Sequence, residues 1–279
     1  MTTIAELLRQ ASLSLSGVTP SPRMEAEILL AHALGKPRTH LLAWPQSEPP
    51  PAALGTFHKL LARRKLGEPV AYLVGAREFW SREFRLTSNV LIPRPDTELL
   101  VEKVLKKIPL RHPSTVADLG TGSGAIAVTV ALERPACRVY ATDRSLQALQ
   151  VARSNARRLK AGNVGFIRSD WLDALADRRF DVIVSNPPYI AADDPHLERE
   201  IRFEPTEALT AGPDGLDAIR RITRQSPRCL RHGGWLLLEH GYDQASQVER
   251  LLAQSGFTTI TCYRDLENRP RVTQAQWSP

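Results

Sequence analysis

At 279 residues, 42% of them hydrophobic and 24% charged, the chain is long enough for one large domain or two, with the composition of an ordinary soluble globular protein. It has no run of 18 or more apolar residues and no signal-peptide apolar stretch after Met1, so a cytoplasmic protein without a membrane span is expected. The net charge of +7, much of it in arginine pairs such as Arg157-Arg158 and Arg220-Arg221, favours an anionic partner, either nucleic acid or a protein bound to it, without choosing between them.

Residues 1 to about 75 read as helical. Ile4, Leu7 and Leu8 begin an apolar stripe. Ser21-Pro22 offers an N-cap followed by proline at the first helical position, and Gly35 a C-terminal stop. A further helix is expected over Pro51–Leu66, with Leu54, Phe57, Leu60 and Leu61 on one face and Gly67 after it. His32, His40 and His58 stand alone and make no catalytic constellation, so this part is expected to recognise a partner or to act as a structural cap.

From Gly75 to Ile92 the pattern suits a β-hairpin, with Phe79, Trp80, Phe84 and Leu86 separated by polar residues. Pro93 and Pro95 stiffen the segment after it, and Asp96 or Thr97 is expected to cap a helix over Glu98–Lys107. The expected division is therefore 1–75 as a helical domain, 76–95 as a hairpin linker and 96–279 as a second domain. In that second domain strand and helix signals alternate. Strands are expected at 115–118, 138–143, 164–168, 180–185 and 235–239, and helices at 125–132, 145–160 and 244–256. Two final β runs, 258–263 and 271–276, have no helix between them. Repeated βα units imply an α/β fold with a parallel, doubly wound sheet, and the last two runs add an antiparallel hairpin near its edge. Cys137, Cys229 and Cys262 lack metal or redox spacing and suit buried thiols, so no metal site is expected.

Ligands of such sheets bind beyond the carboxyl ends of the strands. After the first strand of the second domain comes Asp118-Leu119-Gly120-Thr121-Gly122-Ser123-Gly124, where glycines let a ligand approach a helix N-terminus. Asp143 ends the next strand, where a carboxylate can accept both ribose hydroxyls of an adenosine. NAD and S-adenosylmethionine share that nucleoside, so these two features call for an adenosine cofactor and no more. No tyrosine–lysine or His–Asp proton relay for a dehydrogenase is visible. Ser169-Asp170-Trp171 follows the third strand. Ser185-Asn186-Pro187-Pro188-Tyr189 follows the fourth, where two prolines remove two backbone donors and fix two φ angles, leaving a stiff loop with one amide and one ring.

The Asp-x-Gly-x-Gly-x-Gly loop resembles that of class I methyltransferases, and Asn-Pro-Pro-Tyr resembles the signature of those that modify a planar nitrogen, an adenine amino group or a glutamine amide. With Gly67–Gly75, Glu78-Phe79-Trp80, Leu91–Glu98, Glu204–Leu209, Gly215-Leu216-Asp217 and Leu238–Gly241, the chain resembles the glutamine N5-methyltransferase family, which modifies peptide chain release factors. The resemblance runs from about residue 5 to the C-terminus. It implies a Rossmann-like, mostly parallel seven-stranded sheet with a C-terminal antiparallel hairpin, preceded by the helical domain. S-adenosyl-L-methionine would be the methyl donor, S-adenosyl-L-homocysteine the product, and the glutamine of the Gly-Gly-Gln loop of class 1 release factors the acceptor. Carried onto this sequence, Asp118 orients the methionine end, Gly120, Thr121, Gly122, Ser123, Gly124 and Asp143 hold the cofactor, and Asp170 and Trp171 meet its adenine. Asn186, Pro187, Pro188 and Tyr189 seat the glutamine, with Asn186 also touching the cofactor. Two alternatives share this chemistry, a ribosomal-protein glutamine methyltransferase and a DNA adenine N6-methyltransferase. No DNA-recognition insertion is visible, and stable DNA binding is not expected.

Overall fold

The computed structural model describes residues 2–176, 178–195 and 200–278. They fall into two compact units, 2–76 with 200–203, and 77–195 with 204–278.

The first unit is helical: α1 (Ile4–Leu15), α2 (Pro22–Leu34), α3 (Arg38–Ala43), α4 (Pro51–Lys65) and α5 (Val70–Val74). Thr3 opens α1 with a capping box, its hydroxyl accepting from the Glu6 N–H while the Glu6 carboxylate accepts from the Thr3 N–H. Ile4, Leu7, Leu8, Ala11 and Leu15 then recur at helical spacing and are buried against Leu29, Leu30, Phe57 and Leu60. Gly35 ends α2 in the left-handed conformation, as its position in the sequence requires. Ser21 makes no side-chain cap. Arg64, only 1% exposed, reaches Glu25 at 2.7 Å, so a buried ion pair ties α4 to α2.

The second unit begins with a short hairpin, β1 (Ala76–Phe79) and β2 (Arg82–Arg85), turned by Trp80 and Ser81, both at positive φ. That left-handed turn is held by Glu98, which accepts from the Trp80 N–H at 2.7 Å. Phe79 and Phe84 lie in the same apolar cluster as Leu100, Val101 and Val104, so the hairpin packs into the second unit's core. Residues 86–92 are not strand. There follow α6 (Thr97–Lys107), β3 (Thr115–Leu119), α7 (Ala125–Glu133), β4 (Arg138–Asp143), α8 (Leu146–Arg158), β5 (Val164–Arg168) and β6 (Phe180–Ser185). The chain closes with α9 (Asp217–Cys229), β7 (Leu230–Glu239), α10 (Ala245–Gln254), β8 (Phe257–Arg264) and β9 (Pro270–Trp277).

These strands form one seven-stranded sheet in the order β5-β4-β3-β6-β7-β9-β8, parallel except for β9, which runs antiparallel to both β7 and β8. The strand order therefore reverses between β3 and β6. Their register pairs Leu119 with Ser185, which brings the ends of both strands to the same crevice.

Three helices depart from the expected pattern. α3 and α5 are too short to show a periodic stripe. α9 was not expected, because Pro227 interrupts its sequence pattern; the helix accommodates it in its final turn. β7 starts five residues before the expected Trp235, passing Gly233 at φ +79° with a shift of register against β6. Neither Asp96 nor Thr97 caps α6 through its side chain, since Thr97 is the first helical residue and its hydroxyl is engaged elsewhere.

Candidate active site

The glycine loop is shaped by two carboxylates. Asp118, at 0% exposure, accepts from the Thr121 hydroxyl at 2.7 Å and from the Ala127 N–H at 3.1 Å, pinning the loop to the first turn of α7. Burial pushes its carboxyl up to about 7 despite those two bonds. Gly120, Gly122 and Gly124 all have positive φ, so the loop's path is left-handed at each. Gly124 has a second constraint: a Cβ there would come 3.1 Å from Ala152, and its absence lets α7 start against α8.

Asp143 is the second carboxylate. Its two oxygens accept from the Gly122 N–H at 3.0 Å and the Ser145 N–H at 2.9 Å, bridging the loop and the start of α8. Burial raises its carboxyl above the usual 3.8, against the lowering effect of these N–H groups. Trp171 sits at φ +55°, a left-handed backbone uncommon for an aromatic residue, and its ring lies 3.3 Å from where a Gly120 Cβ would stand. Asp170 is held by Arg221 of α9 at 2.6 Å, and Arg221 also reaches Asp173 at 2.8 Å.

A cavity of about 560 Å³ opens at this crevice, a size suited to a nucleoside-bearing ligand. Gly120, Gly122, Asp143, Asp170, Trp171, Asn186 and Pro188 line it. Asp118, Thr121, Ser123 and Gly124 adjoin the lining glycines in the chain, and Pro187 and Tyr189 adjoin Asn186 and Pro188.

The Asn-Pro-Pro-Tyr segment is braced from several sides. The Tyr189 carbonyl accepts from Gln244 Nε2 at 2.9 Å, and a Cβ at Gly215, at φ +71°, would collide with that same carbonyl. Ile190 continues in a bridge to Thr210, with N–H···O bonds of 2.9 Å to Leu209 and 3.0 Å from Ala211. Asn186 lines the cavity, and its Nδ2 donates to the Thr97 hydroxyl at 3.1 Å.

A family model described as the PrmC N-terminal domain matches residues 6–75, and one described as the methyltransferase small domain matches 95–260. The release factor glutamine methyltransferase of Pseudomonas aeruginosa is 50% identical over 279 residues, covering 100% of both chains. The enzyme of the same name from Coxiella burnetii is 44% identical, covering 99% of each. The chain belongs to the release factor glutamine methyltransferase family. Among solved structures, a methyltransferase from Pyrococcus furiosus shares the fold, with a TM-score of 0.55 at 17% identity over 78% of this chain and 98% of that one. The T. thermophilus 16S rRNA N2 G1207 methyltransferase, solved with AdoMet and guanosine, gives 0.53 at 20% identity, covering 72% of this chain and 49% of its own.

As a member of the release factor glutamine methyltransferase family, the chain is a methyltransferase that uses S-adenosyl-L-methionine. The cavity fits that cofactor: a carboxylate at the end of β4, glycines without side chains on the loop, and an aromatic ring over Gly120 suit an adenosine and its methionine tail. Three further residues enter the site's description. Arg221 was legible only as half of an arginine pair, because α9 was not read as a helix. Thr97 gave no signal beyond a helix start. Glu239 ends a buried strand, where a carboxylate is expensive, and that cost was the signal available.

Proposed function

We propose that this enzyme transfers a methyl group to the side-chain amide nitrogen, N5, of the glutamine in the Gly-Gly-Gln loop of class 1 peptide chain release factors. The observation that supports this reading best is the placement of Asn186: its amide lines the cavity at the carboxyl end of β6, one strand from the glycine loop, with its nitrogen already engaged by Thr97. The full-length likeness to enzymes named for release factor glutamine points to the same acceptor.

A carboxamide nitrogen is a poor nucleophile, because its lone pair is delocalised into the carbonyl, and it is far too weak an acid for an ordinary general base. The loop answers this by accepting hydrogen bonds. Asn186 Oδ1 would take one N–H of the acceptor amide and the Pro187 carbonyl the other, moving electron density onto nitrogen and aiming it. The Tyr189 ring would lie against the amide plane and limit its rotation. S-adenosylmethionine supplies an electrophilic sulfonium methyl. Orientation of this kind contributes roughly 7–11 kcal/mol, against about 1 kcal/mol for one neutral hydrogen bond. The stiffness of the Pro-Pro loop is thus the larger asset. After transfer the nitrogen is strongly acidic and loses its proton to water without a dedicated base.

The test is the Asn186→Ala enzyme in single-turnover methylation of a release factor, with cofactor affinity measured separately. Methyl transfer should fall severely with affinity nearly intact; equal loss of both would defeat the acceptor role.

A further inference from the structure

We propose that Thr97 and Glu239 are positioning residues for methyl transfer, which set the end of the Asn186 amide that faces the acceptor; the inference rests on the acceptor role of Asn186 proposed above. The two ends of a carboxamide have nearly the same shape and opposite hydrogen-bonding character. With its NH2 turned to the cavity, Asn186 would set donors against the donors of the incoming amide. The loop itself does not hold the orientation, because the two residues that follow Asn186 are prolines and carry no N–H to engage its oxygen.

The partner comes from another part of the chain. Thr97, 4% exposed at the start of α6, accepts from Asn186 Nδ2 at 3.1 Å. A threonine hydroxyl both donates and accepts, so by itself it would hold either end of the amide. It becomes selective only where its own proton is committed elsewhere. Glu239 provides that commitment. The parallel register pairs Ser185 with Leu238, which sets Glu239 alongside the position of Asn186 on the neighbouring strand. Its carboxylate is 0% exposed, and among the described residues neither oxygen completes a hydrogen bond.

The Thr97 and Tyr189 hydroxyls and the Arg271 guanidinium face Glu239, each lowering its affinity for a proton against the larger effect of burial. Arg271 is shared with Asp96 and Asp265, at 3.4 and 3.3 Å. Burial pushes the Glu239 carboxyl up to about 7, and above that value it is ionised and only accepts. It orients the Thr97 O–H toward itself, which leaves a threonine lone pair for Asn186 Nδ2 and turns Oδ1 to the cavity. The same carboxylate lies under the Tyr189 hydroxyl, so one buried group aligns both functional side chains of the loop.

The experiment compares Thr97→Val, which keeps the shape and removes the hydroxyl, with Thr97→Ser, which keeps the hydroxyl, alongside Glu239→Gln and Asn186→Ala. Each is assayed for kcat and KM on a release factor, for cofactor Kd and for thermal unfolding. Thr97→Val should lower kcat by about tenfold or more, as expected for losing an oriented hydrogen bond, with cofactor Kd unchanged. Thr97→Ser should restore most of the rate. Glu239→Gln should lower kcat as well, because a neutral amide no longer dictates the direction of the Thr97 hydroxyl. Wild-type kcat in Thr97→Val, with Asn186→Ala inactive, would overturn the positioning role and leave the acceptor role standing. Equal losses in Thr97→Ser and Thr97→Val would also overturn it. Wild-type transfer by Asn186→Ala would remove the acceptor role and this inference with it. If Thr97→Val does not fold, full kcat in Glu239→Gln decides against the relay.

Discussion

Replacing Asp143 with alanine should weaken cofactor binding far more than it slows the chemistry of the bound enzyme. Asp143 lines the cavity, and each of its oxygens already accepts one backbone N–H, from Gly122 and from Ser145. A carboxylate oxygen has two lone pairs, so each retains one for a ribose hydroxyl. A hydrogen bond to a charged group contributes about 1.5–3 kcal/mol, and two would contribute roughly 3 kcal/mol or more. With about 1.4 kcal/mol per tenfold in Kd, the loss is on the order of 100-fold at least. Asparagine does not rescue it, because its NH2 would face one of the two backbone N–H donors. The wild-type enzyme should also lose affinity in acid. Burial lifts the Asp143 carboxyl above 3.8, and the protonated form accepts less well. Affinity is then present above the folded value and falls as pH drops through it, earlier than for a surface aspartate. Isothermal titration of the cofactor at several pH values measures both effects. A Kd within about threefold of wild type in Asp143→Ala would show that the ribose is held elsewhere; a tenfold change is about 1.4 kcal/mol.

Two further outcomes follow from the buried groups. Asp118, raised to about 7 from 3.8, favours the protonated folded state, so its contribution to stability is greatest below pH 4 and declines as pH rises toward 7. Relative to wild type, Asp118→Asn should therefore gain roughly 4 kcal/mol between pH 4 and pH 8 in urea unfolding; a difference independent of pH would count against it. Gly215→Ala forces a left-handed alanine, costing about 1–2 kcal/mol, and pushes a methyl into the Tyr189 carbonyl. It should lower kcat while sparing cofactor Kd, and a full-rate variant would mean the acceptor loop tolerates that shift.

The sheet was legible because its strands are short β-branched runs ending at glycines, acids or prolines, and β4, β5 and β6 fall where the pattern sets them. α9 was not, because Pro227 and its arginines mask the apolar stripe of Ala218, Ile219 and Ile222 that is buried in the structure. In the site, local motifs announced Gly120, Asp143 and Asn186. Thr97, Glu239 and Arg221 act through contacts that span from 51 to 89 residues or across neighbouring strands, and such contacts have no local signature.

The most direct test of the acceptor supplies labelled S-adenosylmethionine to the enzyme with a class 1 release factor, with the same factor carrying a replaced Gly-Gly-Gln glutamine, with ribosomes and with DNA, each separately. Label should enter the intact factor and no other sample. Label in DNA, in a ribosomal protein, or equally in the glutamine-replaced factor would contradict the assignment.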